Sequence, residues 1–366
     1  MSPAPTDRPS PPADGLPVLA GRLPAPGDRR LSRAARSPAP RNRPPAPAGR
    51  LPTPAPPPAP ADQPLAPAAP LSVPTTETRS PGVRRITLDA DGVPLSALLA
   101  LPRYGTARAT VVALHGAGMR AAYFDGRACP GQSLLGLATE LGHAVLAVDR
   151  PGYGASAARL PYGQSVAEQA VTLGAALRDF AARYGTSEGL FLLAHSFGGK
   201  VALALAADAP AELLGVDVSG CGNAYAADLH EPAGPGGHWS RNWGPLRLYP
   251  PGTFSAGAAV VAPVPERELR DAARWPETWP ALADRIRVPV RFTFGEHESW
   301  WRHDPPTLTR LRLQLARARR VTAEHQPGAG HNISLGWAAR AYHLRALGFL
   351  EDCLHDPRPA PSLPCP

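Results

Sequence analysis

Ser196 stands in Ala194-His195-Ser196-Phe197-Gly198, directly after the apolar run 190–193 and before a segment of helical composition. A serine hydroxyl attacks a carbonyl only when a neighbouring base takes its proton, and it must project from the backbone to be reached. A sharp strand-to-helix turn meets the second need, provided that small residues two before and two after the serine let the flanking segments approach. Ala194 and Gly198 are such residues. A base follows late in the chain: His331 lies in Pro327-Gly328-Ala329-Gly330-His331-Asn332, a stretch too glycine-rich to be helical. Between them, the apolar run 288–294 closes with Gly295-Glu296-His297-Glu298, which places carboxylates at a strand end. Nucleophile, acid and imidazole in that order are the parts of an acyl-transfer triad. Upstream, the run 111–114 leads into His115-Gly116-Ala117-Gly118. Such a turn can aim the N–H of Ala117 at a developing oxyanion, with the N–H of Phe197 as second donor, each worth roughly 3 kcal/mol of barrier.

These groups need a frame of strand ends. Ile86, Leu88, Leu95, Leu98 and Leu99 around Asp89-Ala90-Asp91-Gly92 read as a β-hairpin that opens a sheet. Further strands are expected near 110–115, 144–148, 190–194, 213–218, 288–294 and 320–325, with a last helix near 334–353. They alternate with helical segments, which predicts an α/β architecture: a mostly parallel central sheet covered by helices on both faces. One helix is well marked. Ser165 and Glu168 form a capping box, and Val166, Ala170, Leu173, Leu177 and Phe180 give it one apolar face. The alternation stops across about 221–285, where a proline- and glycine-rich stretch holds Trp239, Trp243, Trp275 and Trp279, while Trp300 and Trp301 follow Glu298 closely. Tryptophans here serve either as the core of an insertion or as the walls of an apolar pocket, for which Trp239, Trp243 and Trp300 are the candidates. His238, Arg241 and Arg247 are expected to be solvated.

With the motifs assembled, residues 83–355 resemble an α/β-hydrolase of the serine esterase or thioesterase type. Asp149-Arg150-Pro151-Gly152-Tyr153-Gly154-Ala155-Ser156 matches the D-x-x-G-x-G-x-S turn of that superfamily, and Ala194 replaces its more usual glycine. The resemblance implies Ser196 as nucleophile, His331 as general base and then acid, and Glu298 as the orienting acid. The family more often has aspartate there, so Glu296, Asp304 and Asp217 stay as alternatives. It also implies a cap inserted at about 221–285, a small-molecule acyl substrate, and hydrolysis of an ester or thioester. Acyl transfer, or ligand binding with little turnover, would use the same fold.

Other readings are weaker. Gly116-Ala117-Gly118-Met119-Arg120-Ala121 fits a dinucleotide-binding fingerprint, but Asp125-Gly126 and Cys129-Pro130-Gly131 interrupt the helix that such a fingerprint must open. No cofactor is expected, and no metal, because neither the four cysteines (Cys129, Cys221, Cys353, Cys365) nor the histidines have ligand spacing. His115 and His195 are expected to fix the two loops that flank the site. Of 48 prolines, 23 fall in the first 80 residues, among few residues able to build a core, so residues 1–80 are expected to be a disordered segment. Such Pro-Ala-Arg strings also arise when a start codon is assigned too far upstream. The segment holds ten arginines against five acids and so carries five of the formal net charge of +8; the basic balance therefore gives the folded part no nucleic-acid role. Residues 356–366 are expected to be a disordered tail. Arg29-Arg30 is followed by no apolar run of signal-peptide length and no stretch is long enough to span a bilayer, so a cytoplasmic enzyme is expected.

Overall fold

The computed structural model describes residues 80–208, 212–226, 229, 239–255 and 257–356. Nearly all of the N-terminal segment and the C-terminal tail, together with His238 and Cys365, lie outside these. The sheet opens on a hairpin, β1 (Arg84–Ala90) and β2 (Val93–Ala100), with Ala90 paired to Val93. Asp91 and Gly92 turn it with φ of 51° and 88°, the positive values that a two-residue hairpin turn needs. Six strands follow: β3 (Thr110–Leu114), β4 (Ala144–Val148), β5 (Leu190–His195), β6 (Leu213–Ser219), β7 (Val290–Gly295) and β8 (Val321–Gln326). Their spatial order is β1-β2-β4-β3-β5-β6-β7-β8. The pairs β1–β2 and β2–β4 are antiparallel and the rest parallel.

A parallel strand is buried on both faces, which is why the inner strands are continuous apolar runs. In β3, Val112 and Leu114 join one core with α2 (Val166–Tyr184) and α3 (Phe197–Ala207), while Val111 and Ala113 join another with α1 (Leu134–Glu140) and α8 (Ala339–His355). The Ser165–Glu168 capping box opens α2 as expected. Two elements start more than one residue away from the sequence reading. Strand β7 begins at Val290 and not at 288, because Pro289 has no N–H to give and offers only its carbonyl, to Val216. The last helix begins five residues late, after a single 3-10 turn, Ile333–Leu335. There Gly336 is extended and packs so near the Leu248 carbonyl that a Cβ would sit 3.0 Å from it.

Between β6 and β7 a helical insertion carries α4 (Trp239–Trp243), α5 (Gly257–Val260) and α6 (Glu266–Ala283). A seventh helix, α7 (Pro305–Gln314), follows β7. Trp275 and Trp279 of α6 are fully buried; their indole N–H groups donate to Gly222 O at 2.8 Å and to Gln314 Oε1 at 2.7 Å, so these two tryptophans are core. Among the described residues no helix is long and apolar enough to cross a membrane.

Candidate active site

Ser196 sits between β5 and α3 with φ 52° and ψ −119°. A non-glycine residue held there costs on the order of 1–3 kcal/mol, so its surroundings must over-determine it. They do: the Ser196 N–H donates to Ser219 O at 2.8 Å, and Gly199 N–H donates back to Ser196 O at 2.9 Å. Crowding explains the small neighbours. A Cβ on Gly198 would overlap the carbonyl oxygens of Leu114 and His115, and one on Gly116 would come within 3.1 Å of Ser196 Cβ.

The loop after β8 brings His331 Nε2 to 3.1 Å from Ser196 Oγ, and His331 Nδ1 lies 2.8 Å from Glu298 Oε2. A turn closed by Glu298 N–H to Gly295 O presents the glutamate, and its second oxygen accepts the Trp300 N–H at 2.8 Å. Glu298 and His331 are both buried. The other carboxylates are occupied elsewhere. Glu296 accepts the N–H of Gly328, Asp304 caps α7 through the N–H of Thr307, and Asp217 is buried against Arg291 and the Tyr342 hydroxyl.

Two buried histidines flank this chain of hydrogen bonds. Burial, with Arg150 next in effect, holds His115 well below the ordinary histidine range. Its Nε2 accepts the N–H of Arg150 and its Nδ1 lies 2.8 Å from Gly116 O, which fixes the turn. Burial, and then His331, does the same to His195, whose ring stacks on Tyr123 at 4.8 Å. In the turn, Met119 N–H bonds to Gly116 O at 3.3 Å and Gly118 N–H to the Tyr153 hydroxyl at 3.0 Å.

A cavity of about 410 Å³ opens over Ser196 and His331. Ala117 and Phe197 line it, as do Trp300 and Trp301, and the insertion contributes Asn242, Val264, Leu269 and Ala272. A larger surface hollow of about 750 Å³, around Arg103, Gly131 and Arg340, contains none of these groups. Trp239 and Trp243 are not among the cavity-lining residues. They form an aromatic cluster with Tyr249 and Phe254, with centroids 4.9 to 5.9 Å apart; Trp243 is buried there and Trp239 half exposed. Arg241 lies over the Trp300 ring rather than in solvent alone. Trp243→Ala is therefore expected to cost roughly 3 kcal/mol of stability, as loss of a buried aromatic does, without changing acyl chain-length preference. Thermal melts and a series of p-nitrophenyl esters check it; a changed preference at unchanged melting temperature would place Trp243 in the pocket.

Sequence reasoning missed several lining residues, among them Tyr225, Asn242, Leu269 and Lys200. The signal for Lys200 was the lone charge in the otherwise apolar stretch of α3.

The model of the Alpha/beta hydrolase family matches residues 111–342. No curated protein matches. Among solved structures, the chain is similar to a highly thermostable carboxyl esterase from Bacillus coagulans in complex with glycerol: 15% identity, TM-score 0.57, over 75% of this chain and all (100%) of that one. A lipase in its open form is similar at 17% identity and TM-score 0.56, over 75% of this chain and 100% of its own. The thioesterase domain from the curacin biosynthetic pathway gives 14% and 0.52, over 72% and 99%. At such identities the likeness is one of fold. Family match, strand order and helical insertion agree: this chain belongs to the α/β-hydrolase family.

Proposed function

We propose that the protein is a serine hydrolase that cleaves an ester or thioester of a small acyl substrate through an acyl-enzyme on Ser196. The observation that carries this reading is the run of hydrogen bonds Ser196–His331–Glu298 at the floor of a cavity. His331 Nε2 takes the Ser196 proton as Oγ attacks the acyl carbonyl, and the Glu298 carboxylate fixes the imidazole tautomer and stabilises the imidazolium. The N–H of Phe197, at the start of α3, has no acceptor within its helix. With the N–H of Ala117 it binds the tetrahedral oxyanion. The imidazolium then protonates the leaving alcohol or thiol. Water, activated by the same histidine, releases the acid and restores Ser196.

A fluorophosphonate probe tests the reading. Wild-type protein is expected to gain one covalent adduct, mapped to the Ser196 peptide by mass spectrometry, and Ser196→Ala to gain none. A wild type that stays unlabelled while a control esterase reacts would favour a ligand-binding protein with little turnover. An acyl-enzyme that yields its acyl group faster to an added alcohol or thiol than to water would identify a transferase.

A further inference from the structure

Lys200, the chain's one lysine, lies four residues beyond Ser196 on α3, is 3% exposed and lines the cavity over Ser196. Its ammonium donates to the Tyr225 hydroxyl at 2.6 Å, and that hydroxyl donates onward to Ala272 O at 2.9 Å. The rings of Phe197, Tyr225, Trp275 and Trp301 surround it, with centroids 5.0 to 5.8 Å from Nζ. Ring quadrupoles favour a cation there. No carboxylate among the described residues pairs with it. Of the acids that act on it, Glu268 is bound by Arg150 and Tyr153, and the Asp271 carboxylate accepts the Val166 N–H at 2.6 Å. Burial is the main cause that brings its pKa down to about 8, which still leaves it charged at neutral pH. An ammonium has three donors, and one is used here.

A buried cation without a counter-ion is costly, and methionine would suit the aromatic surroundings without that cost. Among the described residues no anion answers it, and the cavity is where one can enter. We propose that Lys200 is a specificity residue that recognises a carboxylate at the far end of the acyl group, so that the preferred substrates are esters or thioesters of dicarboxylic acids. This rests on Ser196 as the acylated residue. Ser196 and Lys200 line the same cavity, so one acyl group can meet both.

The experiment compares p-nitrophenyl hemiadipate with p-nitrophenyl hexanoate, which differ only in carboxylate against methyl at the chain end. Wild type is expected to favour the hemiadipate at least tenfold in kcat/KM, and Lys200→Met to reverse or abolish that ratio. Binding to Ser196→Ala gives a second readout independent of chemistry: monomethyl adipate is expected to bind at least tenfold tighter than methyl hexanoate. Good turnover of hexanoate with no preference for hemiadipate would overturn the role of Lys200 and leave the hydrolase reading intact. Turnover of neither ester, with no fluorophosphonate adduct, would overturn the hydrolase reading, and the binding comparison then decides Lys200 alone. Should Lys200→Met fail to fold, the wild-type ratio and the binding pair still decide.

Discussion

Ser196→Ala is expected to lower kcat by roughly five to six orders of magnitude, and His331→Ala by a similar factor, because in the proposed mechanism the two act as one unit. The double variant is then expected to lose no more than either single one. Glu298→Gln is milder, on the order of 10,000-fold: an amide keeps the shape but cannot stabilise the imidazolium and favours the wrong tautomer. Ester hydrolysis with active-site titration measures these losses, and circular dichroism checks that each variant is folded. The competing carboxylates supply the control. If Glu298→Gln stays near wild type while Glu296→Gln, Asp304→Asn or Asp217→Asn collapses, the orienting acid is whichever of these fails.

The second large effect is on stability. Arg150 and Glu268 are fully buried, joined at 2.5 and 3.2 Å, with the Tyr153 hydroxyl on the same carboxylate at 2.8 Å. Arg150 also donates to His115 O and Gln169 Oε1, both at 2.7 Å. Removing one partner of such a pair leaves a charge buried alone, which costs about 3–5 kcal/mol. Glu268→Ala is accordingly expected to drop the melting temperature by on the order of 10 °C in a domain of this size. Adding Arg150→Met removes the stranded charge and is expected to recover more than half of that loss. A Glu268→Ala variant melting within a degree or two of wild type would show the pair to be dispensable.

Local signals carried much of the fold. The hairpin at Asp91-Gly92, the Ser165–Glu168 box and the apolar strands are contained in short windows, and all are present in the structure. The Ser196, Glu298 and His331 candidates were legible for the same reason: each sits at a strand end with its own glycine-rich punctuation. The family resemblance pointed to Glu298 with Glu296, Asp304 and Asp217 left open, and Glu298 is the carboxylate beside His331. What stayed hidden depends on pairs far apart in sequence. Nothing near Lys200 announces that residues 225, 275 and 301 enclose it. The link from Arg150 to Glu268 spans 118 residues, and without it Arg150 reads only as part of a turn motif. Trp239 and Trp243 differ from Trp300 by where their helix lands, which composition does not encode.

The attachment of the insertion divides it mechanically. Glu268 ties α6 to the body through Arg150, and Tyr153 carries the link on to the Gly118 amide, while Ala262 N–H holds the Gly118 carbonyl from the other side at 2.9 Å. The α4 half meets the loop of His331 and the turn after it through hydrogen bonds between neutral groups, Asn332 Nδ2 to Asn242 O and Trp337 N–H to Leu248 O. In hydrogen–deuterium exchange the amides of α6 should therefore open only with global unfolding, and those of α4 through a cheaper local excursion. The turn that carries Ala117, held at Gly118 from both sides, is expected to exchange as slowly as α6.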